Sequence, residues 1–239
     1  MKIAIMQPTY LPWVGYFAMI ASVDLFVILD DVQFARRSWQ QRNRIKSANG
    51  ELWLTVPVAS KNNRDQLINQ VKIVEEQQPL LKHAKTIETC YKKSKYYDEY
   101  AKALFDIYQK QNSSLCRLNT DIIVWLSSCF KINTPMVNSS TLLANGAKGD
   151  RLVSICKALN ATKYIAAPAS ENYLSESDSF DRAGIELEYF NYKPLPYTQL
   201  YGDYLPYLSA IDLLFNEGIN SFPILINGVN QLNYHEANS

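Results

Sequence analysis

Along this chain the spacing of apolar positions changes in a regular order. Lys2-Ile3-Ala4-Ile5-Met6 is a nearly unbroken apolar run, the pattern of a strand buried on both faces. Over residues 13–22 the spacing becomes helical, with Trp13, Phe17 and Ile20 on one side and Pro8 and Pro12 in the loop ahead. A second strand run, Leu25 to Leu29, follows. Alternation then marks residues 42–46 and 52–57 on either side of Ser47-Ala48-Asn49-Gly50, and an Asn-Gly between alternating runs predicts a hairpin. Residues 71–74 read as a further short strand. Residues 79–129 carry three helically spaced segments with breaks near Ser94 and Asn112-Ser113, closing at Asn133-Thr134-Pro135. Strand and helix then alternate again: a strand at 136–138, a helix opened by Gly149-Asp150-Arg151 and running to Leu159, strands at 163–167 and 186–190, and a helix at 208–215. That last helix ends at Asn216-Glu217-Gly218, where the glycine suits a C-cap.

This order predicts an α/β fold: a mostly parallel sheet with flanking helices, Rossmann- or nucleotidylyltransferase-like, plus a β-hairpin and a helical insertion. Residues 1–77 and 133–230 are expected to form the α/β core, 78–132 the helical insertion and 231–239 a polar, frayed tail. A length of 239 residues, 47% of them hydrophobic, suffices for a full core. Formal net charge is +1, so no global field favours nucleic acid, and none is expected as a partner. No apolar run reaches the roughly 18 residues of a membrane span. The N-terminal run, interrupted by Gln7, Pro8 and Pro12, does not resemble a signal peptide. Cys90, Cys116, Cys129 and Cys156 sit far apart in helical patterns, as reduced core cysteines of a cytoplasmic protein would. There is no CxxC pair, and only His83 and His235 offer imidazoles, so a metal cluster is not expected.

The first two strand ends carry the candidate chemistry. After the first come Gln7, Tyr10, Trp13, Gly15 and Tyr16; a proline-rich turn into a helix N-terminus exposes backbone N–H groups that can receive phosphate or carboxylate. The alternative is that the prolines and Gly15 shape a tight turn while the aromatics pack beneath it. After the second strand come Asp30, Asp31 and Gln33, then Arg36, Arg37, Trp39, Arg42 and Arg44. The aspartates suit Mg²⁺ held through a nucleotide's phosphates, or general-base work toward an amine, or simply a turn cap. Arg42 and Arg44 alternate on a strand and so project together, which suits a diphosphate or carboxylate. Trp39 would stack a base or sugar ring, or join the core. Among the rest, His83 beside Lys82 and Lys85 reads as a surface histidine, and Asp212 is expected to bridge an arginine of the second motif, the favoured reading, or to cap a neighbouring loop. Tyr197, Tyr201 and Tyr204 form an aromatic loop that would wall a sugar pocket or serve a subunit contact, as in a homo-oligomer. Ser139-Ser140 with Lys148, Gly149 and Arg151 makes a poor phosphate loop, lacking the GK[ST] ending. No GxSxG elbow is present and no cysteine has a histidine near it in sequence, so covalent catalysis is not indicated.

The run Met6 to Phe17, then Asp30-Asp31-Val32-Gln33-Phe34 with Arg37 to Ile45, and Trp53-Leu54-Thr55-Val56-Pro57-Val58, resembles the WbqC-like proteins of bacteria. Further matches are Arg151-Leu152 with Ala158-Leu159, Tyr197 to Gly202, and Leu208 to Gly218; the chain departs at Ala166-Ala167-Pro168, where a serine and a glycine are expected before the proline. The resemblance implies association with O-antigen and other surface polysaccharides, and modification of a nucleotide-linked amino sugar by acyl or aminoacyl transfer, glycyl included. On that reading a sugar amine attacks an activated donor such as an acyl thioester. Asp30 or Asp31 takes the proton, and Arg42 or the first-helix N–H groups stabilise the oxyanion. Two other classes stay open: a nucleotidylyltransferase- or ligase-like enzyme using ATP with Mg²⁺ at Asp30, and a non-catalytic sugar-nucleotide-binding protein.

Overall fold

The computed structural model describes residues 1–59, 65–76, 78–110, 113–174 and 178–236, with backbone alone for Tyr173 and from Asn230 onward. Strand β1 (Lys2–Met6) leads into helix α1 (Val14–Ala21) and β2 (Leu25–Ile28). The hairpin β3 (Arg42–Ser47) and β4 (Gly50–Thr55) follows, then three helices, α2 (Pro79–Tyr91), α3 (Tyr97–Gln109) and α4 (Leu115–Cys129). Next come β5 (Met136–Asn138), α5 (Lys148–Ala158) and β6 (Lys163–Ala166). The short helices α6 (Glu171–Leu174) and α7 (Ser179–Ala183) precede β7 (Glu186–Tyr189), and α8 (Ala210–Glu217) and α9 (Ser221–Glu236) end the chain.

Five strands make one parallel sheet in the order β5-β2-β1-β6-β7, and β3 and β4 form a separate antiparallel pair. The chain winds outward from β1 through β2 to β5, then returns to the other side of β1 for β6 and β7. Winding therefore reverses between β1 and β6, and ligands of open parallel sheets bind beyond the carboxyl ends of strands at such a reversal.

The apolar runs become strands because helices cover both faces. Ala4, Phe26, Ile28 and Ile165 point into a core shared with α1, α2, α3, α4 and α8. Their neighbours Ile3, Ile5, Val27, Tyr164 and Ala166 point into a second core against α5, α6 and α7. This is the period-two alternation of a sheet with two dry faces. Phe17 of α1 is fully buried with its ring 5.3 Å from that of Phe130, which ties the first crossover to the end of α4. Burying one such ring contributes roughly 1.5–3 kcal/mol.

The expected hairpin forms, and one local expectation needs correction. Residues 71–74 do not form a strand; Lys72 and Ile73 make single bridges to Ser114 and Val58. In the hairpin Ser47 pairs with Gly50, so Ala48 and Asn49 are the turn residues, and the positive φ (96°) falls on Gly50. The expected tail from Gln231 begins inside α9; the His235 side chain and residues 237–239 lie outside the described residues, as does Asn112 in the expected helix break.

Candidate functional site

Immediately beyond the carboxyl end of β1 lies a cavity of about 340 Å³. Met6, Thr9, Trp13 and Tyr16 line it from the β1–α1 connection, Trp39, Asn43 and Arg44 from the second motif and β3, and Tyr207 from the loop before α8. An aromatic concavity with a few polar groups is the usual form of a small-molecule site. Its walls brace one another: the Trp13 ring meets Tyr192 edge-on at 5.4 Å and lies 5.5 Å from Tyr207. Gly15 sits behind Trp13, where a Cβ would fall 2.1 Å from the indole. The ring and the burial of Val14, Gly15 and Tyr16 close off the α1 N-terminus that the sequence offered to an anion. Burial holds the Tyr16 phenol well above its ordinary range, so it stays protonated, and it donates to the Gln7 carbonyl at 3.2 Å.

Buried amides hold the irregular first loop. Asn43 Nδ2 donates to the carbonyls of Tyr10 and Leu11 at 3.2 and 2.7 Å, and Leu11 carries the unusual φ of 44°. Asn119 Nδ2 donates to Pro8 and Gln40, and Gln40 Nε2 to Gln7 Oε1 at 2.7 Å. Buried carbonyls outside regular structure need such partners, which explains the amide-rich motifs. Neither the Gln7 amide nitrogen nor the Thr9 hydroxyl has an intramolecular partner among the described residues.

The hairpin brings the expected arginines and indole together. Arg44 stands opposite Trp53 across the ladder, and its Nη1 donates to both carboxylate oxygens of Glu51 at 2.8 and 2.9 Å; its Nε is buried without a partner among the described residues. Arg42 lies 4.6 Å over the Trp53 ring, and Trp39 and Trp53 are stacked at 5.4 Å. Gln33 and Arg37 do not line the cavity: Gln33 reaches Asp65, and the exposed Arg37 turns back to Gln41 through its backbone.

The aspartates occupy a different place. Asp30 is buried and accepts from the Ser139 hydroxyl (3.1 Å), the Ser140 N–H (2.9 Å) and the Ser140 hydroxyl (2.7 Å). Asp31 accepts from Ser139 Oγ at 2.6 Å and forms an ion pair with Arg151 of α5. Together they lock the end of β2 to the end of β5, and neither lines the aromatic cavity. The two strand ends thus serve two separate clusters.

Three residues behave differently from their sequence reading. Asp212 meets no arginine among the described residues; it accepts from Tyr91 (2.7 Å), Tyr197 (2.8 Å) and Gln199 (2.9 Å). The nearby cation is the buried Lys46, whose Nζ donates to Gln199 and the carbonyls of Gly202 and Asp203. Burial pushes the Asp212 carboxyl up, against those hydrogen bonds and the Lys46 charge. His83 is not a surface residue; its Nδ1 lies 2.8 Å from the Tyr10 hydroxyl, which also meets Tyr108 at 2.7 Å. Burial lowers the His83 pKa to about 4. Of the tyrosine loop, Tyr197 serves Asp212, Tyr204 packs on Tyr197, and Tyr201 donates to the Cys90 carbonyl. The tyrosine that reaches the cavity is Tyr207, held at φ 60°. Sequence reasoning missed it with Met6, Thr9, Asn43 and the buried Lys46; the only signal was their place beside the motifs.

Among the described residues no helix is long and apolar enough to cross a membrane. No solved structure matches the chain. It is 36% identical over 219 residues to Rv1507c of Mycobacterium tuberculosis, described as an uncharacterized protein, covering 91% of this chain and 94% of that one. The family model for WbqC-like proteins matches residues 7–224, from the amide-bound loop after β1 through most of the fold. The chain belongs to the WbqC-like protein family.

Proposed function

We propose that the protein is a transferase that acylates or aminoacylates the amine of a nucleotide-linked amino sugar used in O-antigen or other surface polysaccharides. The observation that carries this reading is the cavity beyond β1, where Trp13, Trp39, Tyr16 and Tyr207 supply aromatic walls for a sugar and Thr9 and Arg44 offer polar groups. Family membership supplies the polysaccharide context.

The chemistry assigned to the cavity is direct transfer. The sugar nitrogen attacks the carbonyl of an acyl thioester, a C–N bond forms, the C–S bond breaks, and the departing thiolate takes the proton that nitrogen loses. Among the described residues lining the cavity there is no carboxylate to stabilise an ammonium, and the Arg44 charge disfavours one, so the neutral nucleophilic amine is the favoured form. Arg44 and the Thr9 hydroxyl face developing negative charge on the acyl oxygen. Asp30 and Asp31 serve this reading as the brace between β2, β5 and α5.

The test is incubation with nucleotide-linked amino sugars and acyl or aminoacyl thioesters, following thiol release and the mass of the sugar. Amide formation that falls at least tenfold in Thr9→Val supports the reading. Tight binding of the nucleotide sugar with no turnover of any donor overturns it in favour of a binding protein.

A further inference from the structure

A cavity of about 340 Å³ accepts a hexose-sized group and leaves no room for the nucleotide attached to it. Given the amino-sugar reading above, on which this step rests, the nucleotide must lie on whatever surface adjoins the mouth. That surface is the outer face of the hairpin. Trp39 belongs to both places, since it lines the cavity and stacks on Trp53 at 5.4 Å with the rings 26° apart. Both indoles are about half exposed, 48% and 44%, although tryptophan is on average a highly buried residue. Arg42 and Arg44 lie over parts of these rings, at 4.6–5.8 Å, and the remaining ring surface of the two half-exposed indoles faces solvent.

The charges on this face are arranged unequally. Arg44 is forked by Glu51, whereas Arg42, two residues away on the same face, lies over Trp53 and forms no ion pair among the described residues. A guanidinium without a carboxylate, over an exposed aromatic stack that shares Trp39 with the cavity, is suited to phosphate oxygens. Successive groups outward from the cavity are therefore a sugar-sized hollow, cations and a stacking platform.

We infer that Trp39, Trp53 and Arg42 form a nucleotide subsite, in which the base stacks on the indole pair and the diphosphate meets Arg42. Every base has a π-face, and this subsite holds it by stacking, so it accepts pyrimidine and purine diphosphates alike. Trp53 is the decisive residue, because it is outside the cavity lining and its removal takes no side chain from the sugar hollow.

The experiment is titration of the full chain with UDP, GDP, inorganic pyrophosphate and free glucosamine, read by tryptophan fluorescence and calorimetry. UDP and GDP are expected to quench fluorescence and bind at least tenfold more tightly than pyrophosphate. Trp53→Ala is expected to lose that tenfold advantage while keeping its circular dichroism and its affinity for glucosamine, and Arg42→Ala to weaken both diphosphates and their salt dependence. Equal binding of UDP by wild type and Trp53→Ala, or pyrophosphate binding as tightly as UDP, overturns the subsite. So does a Trp53→Ala variant that alters only the oligomeric state in size-exclusion chromatography. Amide formation at an unchanged KM in Trp53→Ala sinks the subsite alone. Nucleotide binding through Trp53 without any amide product sinks the transfer reading alone.

Discussion

The indole of Trp13 rests on Gly15 so closely that a Cβ on the glycine would lie 2.1, 2.4 and 2.5 Å from three of its ring atoms. The same ring forms a wall of the cavity, so the glycine sets the position of that wall. Gly15→Ala should gain helix propensity of up to about 1 kcal/mol yet lose more to overpacking, for a net destabilisation of about 1–2 kcal/mol by urea unfolding. If the clash is the cause, adding Trp13→Ala should recover part of the loss, and a double-mutant cycle reads the coupling. Strictly additive effects would show that the glycine serves some other purpose.

Asn43 holds Leu11 in its positive-φ conformation by donating to the carbonyls of residues 10 and 11. Asn43→Ala leaves two buried carbonyls without a donor, at a cost of about 2–4 kcal/mol. Asn43→Asp should be nearly as damaging, since an ionised carboxylate has no proton to give. A cost below about 1 kcal/mol would mean that water replaces the amide.

The strands of the sheet were legible because each is a local apolar run, and α1 because Trp13, Phe17 and Ile20 repeat at helical spacing. Residues 71–74 show the limit: their apolar character reflects packing in the core beside α4, with Ile73 donating to the Ser113 carbonyl. Lys46 and His83 were illegible for a related reason. Lys46 is buried because a loop more than 150 residues away supplies carbonyls for its ammonium, and His83 because Tyr10 and Tyr108 meet it from other elements. The motifs announced a site after β1, but its far wall, Tyr207, comes from a loop whose placement depends on the whole fold.

His83 gives the acid limb of stability a specific shape. Its folded pKa of about 4 lies below the ordinary 6.5, so the unfolded chain binds the extra proton first as pH falls. The contribution is fully present above pH 6.5 and is lost as pH falls toward 4, by up to about 3 kcal/mol. Asp212 acts in the opposite sense: its raised pKa costs stability as pH rises from about 4. Urea midpoints of wild type and His83→Gln across pH 4–7.5 separate the two, and only the wild type should weaken steeply below 6.5. Parallel curves would place the titrating group elsewhere.

The two aspartates should differ in what their loss damages. Asp30→Ala takes the acceptor from the Ser140 N–H and hydroxyl, while the Ser139 hydroxyl keeps Asp31, and should cost about 1–3 kcal/mol. Asp31→Asn loses the charge that faces Arg151 but keeps an acceptor for Ser139, and should cost about 1–2 kcal/mol. Under the bracing role both variants retain the wild-type kcat at temperatures where they remain folded. A folded Asp31→Asn protein with kcat reduced a hundredfold and KM unchanged would return Asp31 to the chemistry as a general base.

Glu51 pairs with Arg44, the cation that lines the cavity, and so competes with any anionic ligand for it. Its carboxylate forks Arg44 with both oxygens, and the pair sits near the surface, with side-chain exposures of 39% and 21%. Such a pair contributes little to stability, so Glu51→Gln should cost less than about 1 kcal/mol. It also frees guanidinium N–H groups for an anionic ligand and removes a negative charge from the mouth. UDP should therefore bind Glu51→Gln about fivefold more tightly than wild type, with a steeper salt dependence, both read by calorimetry at two ionic strengths. The opposite result, weaker binding, would mean that Glu51 orients Arg44 for the ligand, because a guanidinium released from its fork spends most of its time in other rotamers and must be ordered again on binding.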